Sequence, residues 1–323
     1  MTTAAPPAVL VEDVRRGHRP SIARAISVLE SRRPGFAALG EAVWHAGGSA
    51  RVLGITGAPG SGKSTLTNAL VGELRARGRR VGIVAVDPSS SISGGAILGD
   101  RVRMGEHTGD DGVFVRSLSS RGSLGGVSRA TVDAVAVLDA AGFDDVIVET
   151  VGVGQAEVDI VGIAHTVLVV SVPGLGDEIQ MIKAGLIELA DVHVVNKADR
   201  PDAHKLVAEI RSMLTLAHSL YQEGWIPPVV ETVATGTTRG VDPLADSIDA
   251  HTAWLHSSGT FDERVHSAAA VRVHEIAKEL LMEAIRDPAR GGDFEAAVAA
   301  VASRERSPYA VATELVQASS GPA

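Results

Sequence analysis

Cysteine is absent from the 323 residues, which excludes disulfides, thiolate nucleophiles and Cys-ligated zinc or iron–sulfur sites. Aromatic residues make up only 3%, too few for the stacking platforms that read single-stranded nucleic acid. Basic residues are outnumbered, 30 Lys and Arg against 39 Asp and Glu, and a net charge of −9 repels phosphate backbones and anionic lipid. No nucleic acid partner is expected. Long hydrophobic runs are lacking too: the longest, over residues 160–172, is interrupted by His165 and falls short of the roughly 20 residues a membrane helix needs. It reads as a buried strand, and no membrane association is expected. The opening seven residues, MTTAAPP, have neither the basic start nor the apolar middle of a signal peptide, and the next charges, Glu12 and Asp13, are acidic. A cytoplasmic location is expected.

What is present is periodicity. Ile22, Ala25, Ile26 and Leu29 recur at helical spacing behind a Pro20-Ser21 start, and a second helical pattern covers 36–45, which predicts an N-terminal helical extension over residues 1–50. From Arg51, short β-branched runs at 52–56, 81–86, 145–149, 166–171 and 192–195 alternate with helical stretches. Apolar strands separated by helices form a parallel sheet covered on both faces, so the predicted fold over 51–260 is α/β, a mostly parallel sheet flanked by helices. Beyond it, Val265, Ala269, Val273, Ile276 and Leu280 trace one face of a long helix ending near Asp287-Pro288. Further helices over 294–303 and after Pro308 complete a helical arm over 261–323, whose apolar face can pack on the parent domain or on a second copy. Residues 89–100 and 117–126 read as Ser/Gly-rich loops inside the α/β domain, of a length usually kept for function.

Gly57-Ala58-Pro59-Gly60-Ser61-Gly62-Lys63-Ser64 fits G-x-x-x-x-G-K-[ST], behind a strand ending at Thr56 and ahead of a helical run over 65–77. Those flanks make it a P-loop, and the fold a P-loop NTPase. Backbone N–H groups from Gly57 to Thr65 are expected to close around the α- and β-phosphates at a helix N-terminus. Lys63 is expected to pair with β/γ oxygens and Ser64 to ligate Mg²⁺.

The base is read elsewhere. Asn196-Lys197-Ala198-Asp199 follows the strand over 192–195, and the Asp199 carboxylate can accept both guanine N1–H and N2–H₂, which adenine does not offer. A site built on such paired bonds rejects the analogue lacking them by roughly 10⁴-fold. One strand further on, Thr232-Val233-Ala234-Thr235 is placed to offer a backbone N–H to guanine O6. These residues together predict a GTPase.

Asp87 and Glu149 each end a strand at the carboxyl edge of the sheet, where carboxylates face a Mg²⁺ shell or its waters; Asp100 lies in the Gly-rich run 94–99 and its flank, and reaches the metal only if that loop closes. Glu149-Thr150-Val151-Gly152 resembles the Asp-x-x-Gly switch of GTPases, with Gly152 turning its N–H to the γ-phosphate. Val153 stands where Ras-like proteins carry a water-orienting Gln, which predicts slow hydrolysis until something completes the site.

Four segments taken together, Val86-Asp-Pro-Ser-Ser90, Gly94 to Met104, Glu149 to Gln155 and Pro173-Gly-Leu-Gly-Asp177-Glu-Ile-Gln180, resemble the MeaB/ArgK family. The resemblance spans essentially the whole chain and is strongest over 51–240. It implies Lys63, Ser64, Asp87, Asp100 and Glu149 around Mg-nucleotide, Asn196, Lys197 and Asp199 around guanine, and a third switch segment over 173–183; the missing Ras-type Gln makes Lys183, Gln180 or Asp177 of that segment the groups expected to be brought towards the nucleotide. It further implies a homodimer through the C-terminal helices and, as partner, the adenosylcobalamin-dependent methylmalonyl-CoA mutase, with the protein gating cofactor loading as its chaperone. Two other readings compete. A metallochaperone GTPase needs clustered Cys or His, whereas the 11 histidines here are scattered. A kinase linked to lysine, arginine and ornithine transport, an older description of the ArgK branch, needs an acceptor pocket with an aligned base.

Overall fold

The computed structural model describes residues 7–87, 109–119, 129–150, 160–174, 186–218, 224–287 and 294–319. Strands β1 (Arg51–Thr56), β2 (Val81–Asp87), β3 (Val113–Ser119), β4 (Asp145–Thr150), β5 (Thr166–Ser171), β6 (Val192–Asn196) and β7 (Val229–Thr232) form one sheet in the order β3-β2-β4-β1-β5-β6-β7. Every pairing is parallel. The sheet is thus parallel throughout its described strands, where a mostly parallel one was expected.

Alternation along the strands splits the core in two. Val52, Val84, Val146, Val148, Val167 and Val169 face one side, where they meet Ile22, Ile26 and Leu29 of α2 (Arg19–Glu30), Leu39 and Val43 of α3 (Phe36–Ala46), and Ala134, Val137 and Leu138 of α5 (Arg129–Ala140). Leu53, Ile55, Ile83, Ile147, Leu168 and Val170 face the other, against Leu66, Leu70 and Leu74 of α4 (Lys63–Ala76) and Leu244 and Ile248 of α7 (Val241–Ser258). Leu66, Leu70 and Leu74 stand four apart, so one stripe of α4 is apolar; truncating Leu70 to Ala would cost about 2–5 kcal/mol. Behind β6, α6 (Ala203–His218) packs Leu206, Val207 and Ile210 on Val195.

The predicted N-terminal helices therefore cover one sheet face within the same core, and a further helix, α1 (Pro7–Arg15), adds Leu10, Val11 and Val14 to it. Asp139 of α5 holds the joint between α3 and β1: its carboxylate accepts the backbone N–H groups of Gly48 (2.5 Å), Ser49 (3.0 Å) and Ala50 (2.8 Å).

Two expectations from the sequence need correction. Residues 117–119, read as the start of a loop, are the end of β3, which was missed because Arg116 and Ser117 break its apolar run on an edge strand. Of the run read as one strand over 160–172, only Thr166–Ser171 is strand; Ile160–Gly162 is a 3-10 turn.

At the amino edge of the sheet Asp191 accepts from the Val167 N–H (2.8 Å) and from both terminal nitrogens of Arg264 (2.7 and 2.6 Å), with His251 Nε2 at 3.3 Å. Burial favours its neutral form, but the His251 and Arg264 partners outweigh burial and hold the carboxyl below its ordinary range. The chain divides into two compact units between Ala268 and Ala269. The division falls within α8 (Thr260–Arg286); the second unit also holds α9 (Phe294–Ala302) and α10 (Pro308–Ser319), with Ile285 and Val311 buried.

Candidate nucleotide-binding site

Central strand β1 lies between β4 and β5, and the chain leaving it turns at once into α4. At such a point in a parallel sheet the carboxyl ends of the strands open a crevice for ligands. The connection, 57–62, is forced by glycine. Gly57 has φ +140° and a Cβ there would stand 2.2 Å from the Val170 carbonyl oxygen; Gly62 has φ +86° and a Cβ there would stand 2.6 Å from Asn196 Nδ2. Neither position admits another residue without moving backbone or the Asn196 amide.

Lys63 is buried and its Nζ donates to the carbonyl oxygens of Gly57 (2.6 Å) and Ala58 (3.1 Å). Its ammonium thus sits inside the curl of the loop, within reach of any anion the loop N–H groups would enclose. Ser64 Oγ donates to Glu149 Oε1 at 2.5 Å, and Glu149 is only 6% exposed. Register explains the meeting: Glu149, one residue short of the end of β4, lies beside Ile55 of β1 and beside Ala85 of β2. A hydroxyl and a buried carboxylate are hard oxygen donors, so the pair fits a divalent cation such as Mg²⁺. Beneath the loop Thr150 Oγ1 donates to Thr56 Oγ1 (3.2 Å), tying β4 to β1.

Across the crevice, Asn196 ends β6 and Thr232 ends β7, adjacent in register. Asn196 is 2% exposed; its Nδ2 donates to the Ser61 carbonyl (2.9 Å), and its Oδ1 accepts from Thr232 Oγ1 (3.2 Å). Lys197 adopts left-handed backbone, φ +56°, a conformation that costs a non-glycine residue about 1 kcal/mol or more. Its Nζ donates to the Gly60 carbonyl (2.9 Å) and so helps hold that conformation. Ala198 N–H donates to the Thr232 carbonyl (3.0 Å), which fixes the turn that leaves Asp199 exposed. Ala234 lies at the start of a loop closed by reciprocal backbone bonds of 3.0 Å between Val233 and Arg239.

One edge of the sheet therefore gathers Gly57 to Thr65, Glu149, Asn196, Lys197, Asp199 and Ala234. Asp87 ends β2 beside Ser119, but its side chain lies outside the described residues, as do Asp100, Gly152, Val153, Asp177, Gln180 and Lys183. Sequence reading named Thr232 only as part of the 232–235 segment and missed its role in orienting Asn196; it missed Arg200 altogether, whose guanidinium reaches the Pro173 carbonyl at 3.3 Å. Both contacts join segments far apart in the chain, and such pairings carry no local signal. Among the described residues no group of three His, Asp or Glu side chains could hold a metal ion.

Comparison with known proteins adds to this geometry. Residues 22–289 match the family model described as methylmalonyl-CoA mutase-associated GTPase MeaB. A Pyrococcus abyssi protein whose name assigns it to the GTPases is 43% identical over 309 residues, 95% of each chain. GTPase ArgK of Escherichia coli is 39% identical over 267 residues, 79% of this chain and 80% of its own. Among solved structures, that of a LAO/AO transport system kinase is 27% identical, covers 98% of both chains and superposes with a TM-score of 0.69.

Proposed function

The chain belongs to the MeaB family of methylmalonyl-CoA mutase-associated GTPases, and from that premise we propose that it is a cytoplasmic, GTP-hydrolysing switch on an adenosylcobalamin-dependent methylmalonyl-CoA mutase, gating cofactor loading and protecting the loaded enzyme. The observation that carries the reading is the family match over residues 22–289, which spans the whole nucleotide crevice.

In this reading the loop N–H groups of Gly57 to Thr65 enclose the phosphates, and Lys63 swings from the Gly57 and Ala58 carbonyls to the β/γ oxygens. Asp199 pairs with guanine N1–H and N2–H₂, and the Ala234 N–H faces O6. Ser64 and Glu149 would hold Mg²⁺, joined by Asp87 and Asp100; the ion supplies charge neutralisation at the β- and γ-phosphates. Water attacks the γ-phosphorus, the bond to the β–γ bridging oxygen breaks, and GDP and phosphate leave. Gly152 donates to the γ-phosphate, and the mutase acts through residues 173–183, bringing Lys183, Gln180 or Asp177 towards the nucleotide. A homodimer assembles through α9, α10 and the later part of α8.

The test is single-turnover GTP hydrolysis with and without the mutase, for the native protein and for Lys183→Ala and Gln180→Ala. Partner-supplied groups accelerate well-studied GTPases roughly 10³- to 10⁵-fold, so a clear stimulation is expected that Lys183→Ala loses at unchanged basal rate. An unstimulated native protein removes the mutase as client; equal stimulation in both variants removes the segment as messenger.

A second reading, phosphoryl transfer to an acceptor, is favoured only by the similarity to a structure named as a transport system kinase. Labelled GTP separates the two: label recovered in free phosphate supports the GTPase switch, label in an amino-acid acceptor the kinase.

A further inference from the structure

At the opposite edge of the sheet from the nucleotide crevice lies a cavity of about 680 Å³, lined by Arg16, His18, Arg19, Arg75, Arg80 and Asp111 with intervening glycines and a proline. Strand β2 is seven residues long, so the two edges stand roughly 20 Å apart. The hollow is open to solvent, and in a chain of net charge −9 the concentration of arginine there is against the trend.

What decides the chemistry is how each arginine is held. Arg75 is spent: it grips both oxygens of Asp110 (2.8 and 2.9 Å) and the Arg79 carbonyl (2.6 Å). Arg19 and Arg80 are different. Arg19 donates to the carbonyls of Asp110 (3.2 Å) and Val113 (2.7 Å) and lies 5.6 Å from the Phe114 ring centroid. Arg80 donates to the carbonyls of Ala141 (3.1 Å) and Gly142 (2.9 Å) and lies 4.7 Å from the Phe143 ring centroid. Neutral oxygens and aromatic faces orient these two guanidiniums without cancelling their charge, and neither has a carboxylate partner among the described residues. Each anchors through one terminal nitrogen, Nη1, which leaves Nε and Nη2 as further donors. Arg16 adds a third charge; among the described residues its guanidinium pairs with the exposed Glu12 (3.2 Å), an interaction worth little in water. The first N–H groups of α2 are already used, Ser21 and Ile22 donating to the His18 carbonyl, so the side chains carry the site.

We propose that this cavity binds a diphosphate group, with Arg19 and Arg80 as preset forks and Arg16 closing over it. Planar guanidinium forks match phosphate oxygens two at a time, and holding them in place in advance lowers the cost of ordering them on binding. Asp111, exposed and also part of the lining, opposes an anion, so the arginines must outweigh it.

Titration calorimetry of the full chain saturated with GDP, which fills the P-loop, against inorganic pyrophosphate and against ADP reads the site directly. Saturable binding of either probe is expected, weakened at least tenfold by Arg19→Gln and by the surface variant Arg16→Glu, which cannot unfold the core. If ADP binds more tightly than pyrophosphate, the diphosphate belongs to a nucleotide; the reverse order assigns it to the free ion. No saturation by either probe, or affinity unchanged in both variants, overturns the proposal, as does binding of an acidic peptide in place of both.

Discussion

Asn196 donates from Nδ2 to the carbonyl of Ser61 at 2.9 Å, joining positions 135 residues apart. With Lys197 on the Gly60 carbonyl, the turn after β6 and the loop 57–62 form one hydrogen-bonded body. Asn196→Ala should then weaken GTP and inosine triphosphate by the same factor, about tenfold or more, because the lesion lies under the loop and not at the base edge. A selective loss of GTP alone would contradict it.

Asp199→Asn should act on the base itself. Xanthine carries an acceptor oxygen where guanine carries its amino group, and an amide can donate to that oxygen where a carboxylate only accepts. Competition between GTP and XTP measures the preference, which is expected to reverse. A variant that still favours GTP would remove Asp199 as the base reader.

Lys63→Ala should abolish tight GTP binding or turnover, at least a hundredfold, while circular dichroism stays native, since the bonds it loses are to carbonyls of the loop. Hydrolysis at the native rate would rule out the P-loop assignment.

Asp139→Ala leaves three N–H groups, of Gly48, Ser49 and Ala50, without their carboxylate. Charged hydrogen bonds are worth more than neutral ones, yet part of this site is open to water, so a loss of roughly 1–3 kcal/mol is expected. Urea unfolding measures it, and an unchanged midpoint would show the joint to be redundant.

Acid should destabilise the fold through His193 and His165. His193, on β6, is 1% exposed, and burial lowers its pKa from 6.5 to about 4. His165 is lowered likewise, by burial first and then by Arg264, and its Nδ1 accepts the Val52 N–H (3.1 Å), which requires the neutral ring. The unfolded chain protonates near pH 6.5 and the folded chain only near 4, so the unfolded state binds more protons between them. Stability is therefore complete above about pH 6.5 and falls towards pH 4, with His193 contributing about 2 kcal/mol of the loss by pH 5. Unfolding midpoints at pH 7 and 5 test this; His193→Leu should flatten the slope, and an identical slope in that variant would refute the assignment.

Much of the molecule is legible in one dimension because its signals are local. Gly57 to Ser64 reads as a P-loop since a tight turn between strand and helix demands glycine at fixed offsets, and the five apolar runs read as strands since parallel strands are buried on both faces. The helix face of α2 follows from spacing alone. Only tertiary structure decided the rest. It made β3 a strand, because Arg116 reaches Ser27 and Glu30 of α2 and so lets a polar edge run pair with β2. It set Ser64 against Glu149 and Thr232 under Asn196, since parallel register sets which strand ends meet, and that register arises between segments far apart in the chain. It also left Arg19 and Arg80 charged and oriented while neutralising Arg75, a distinction that depends on which oxygens the fold brings to each guanidinium and that no residue spacing encodes.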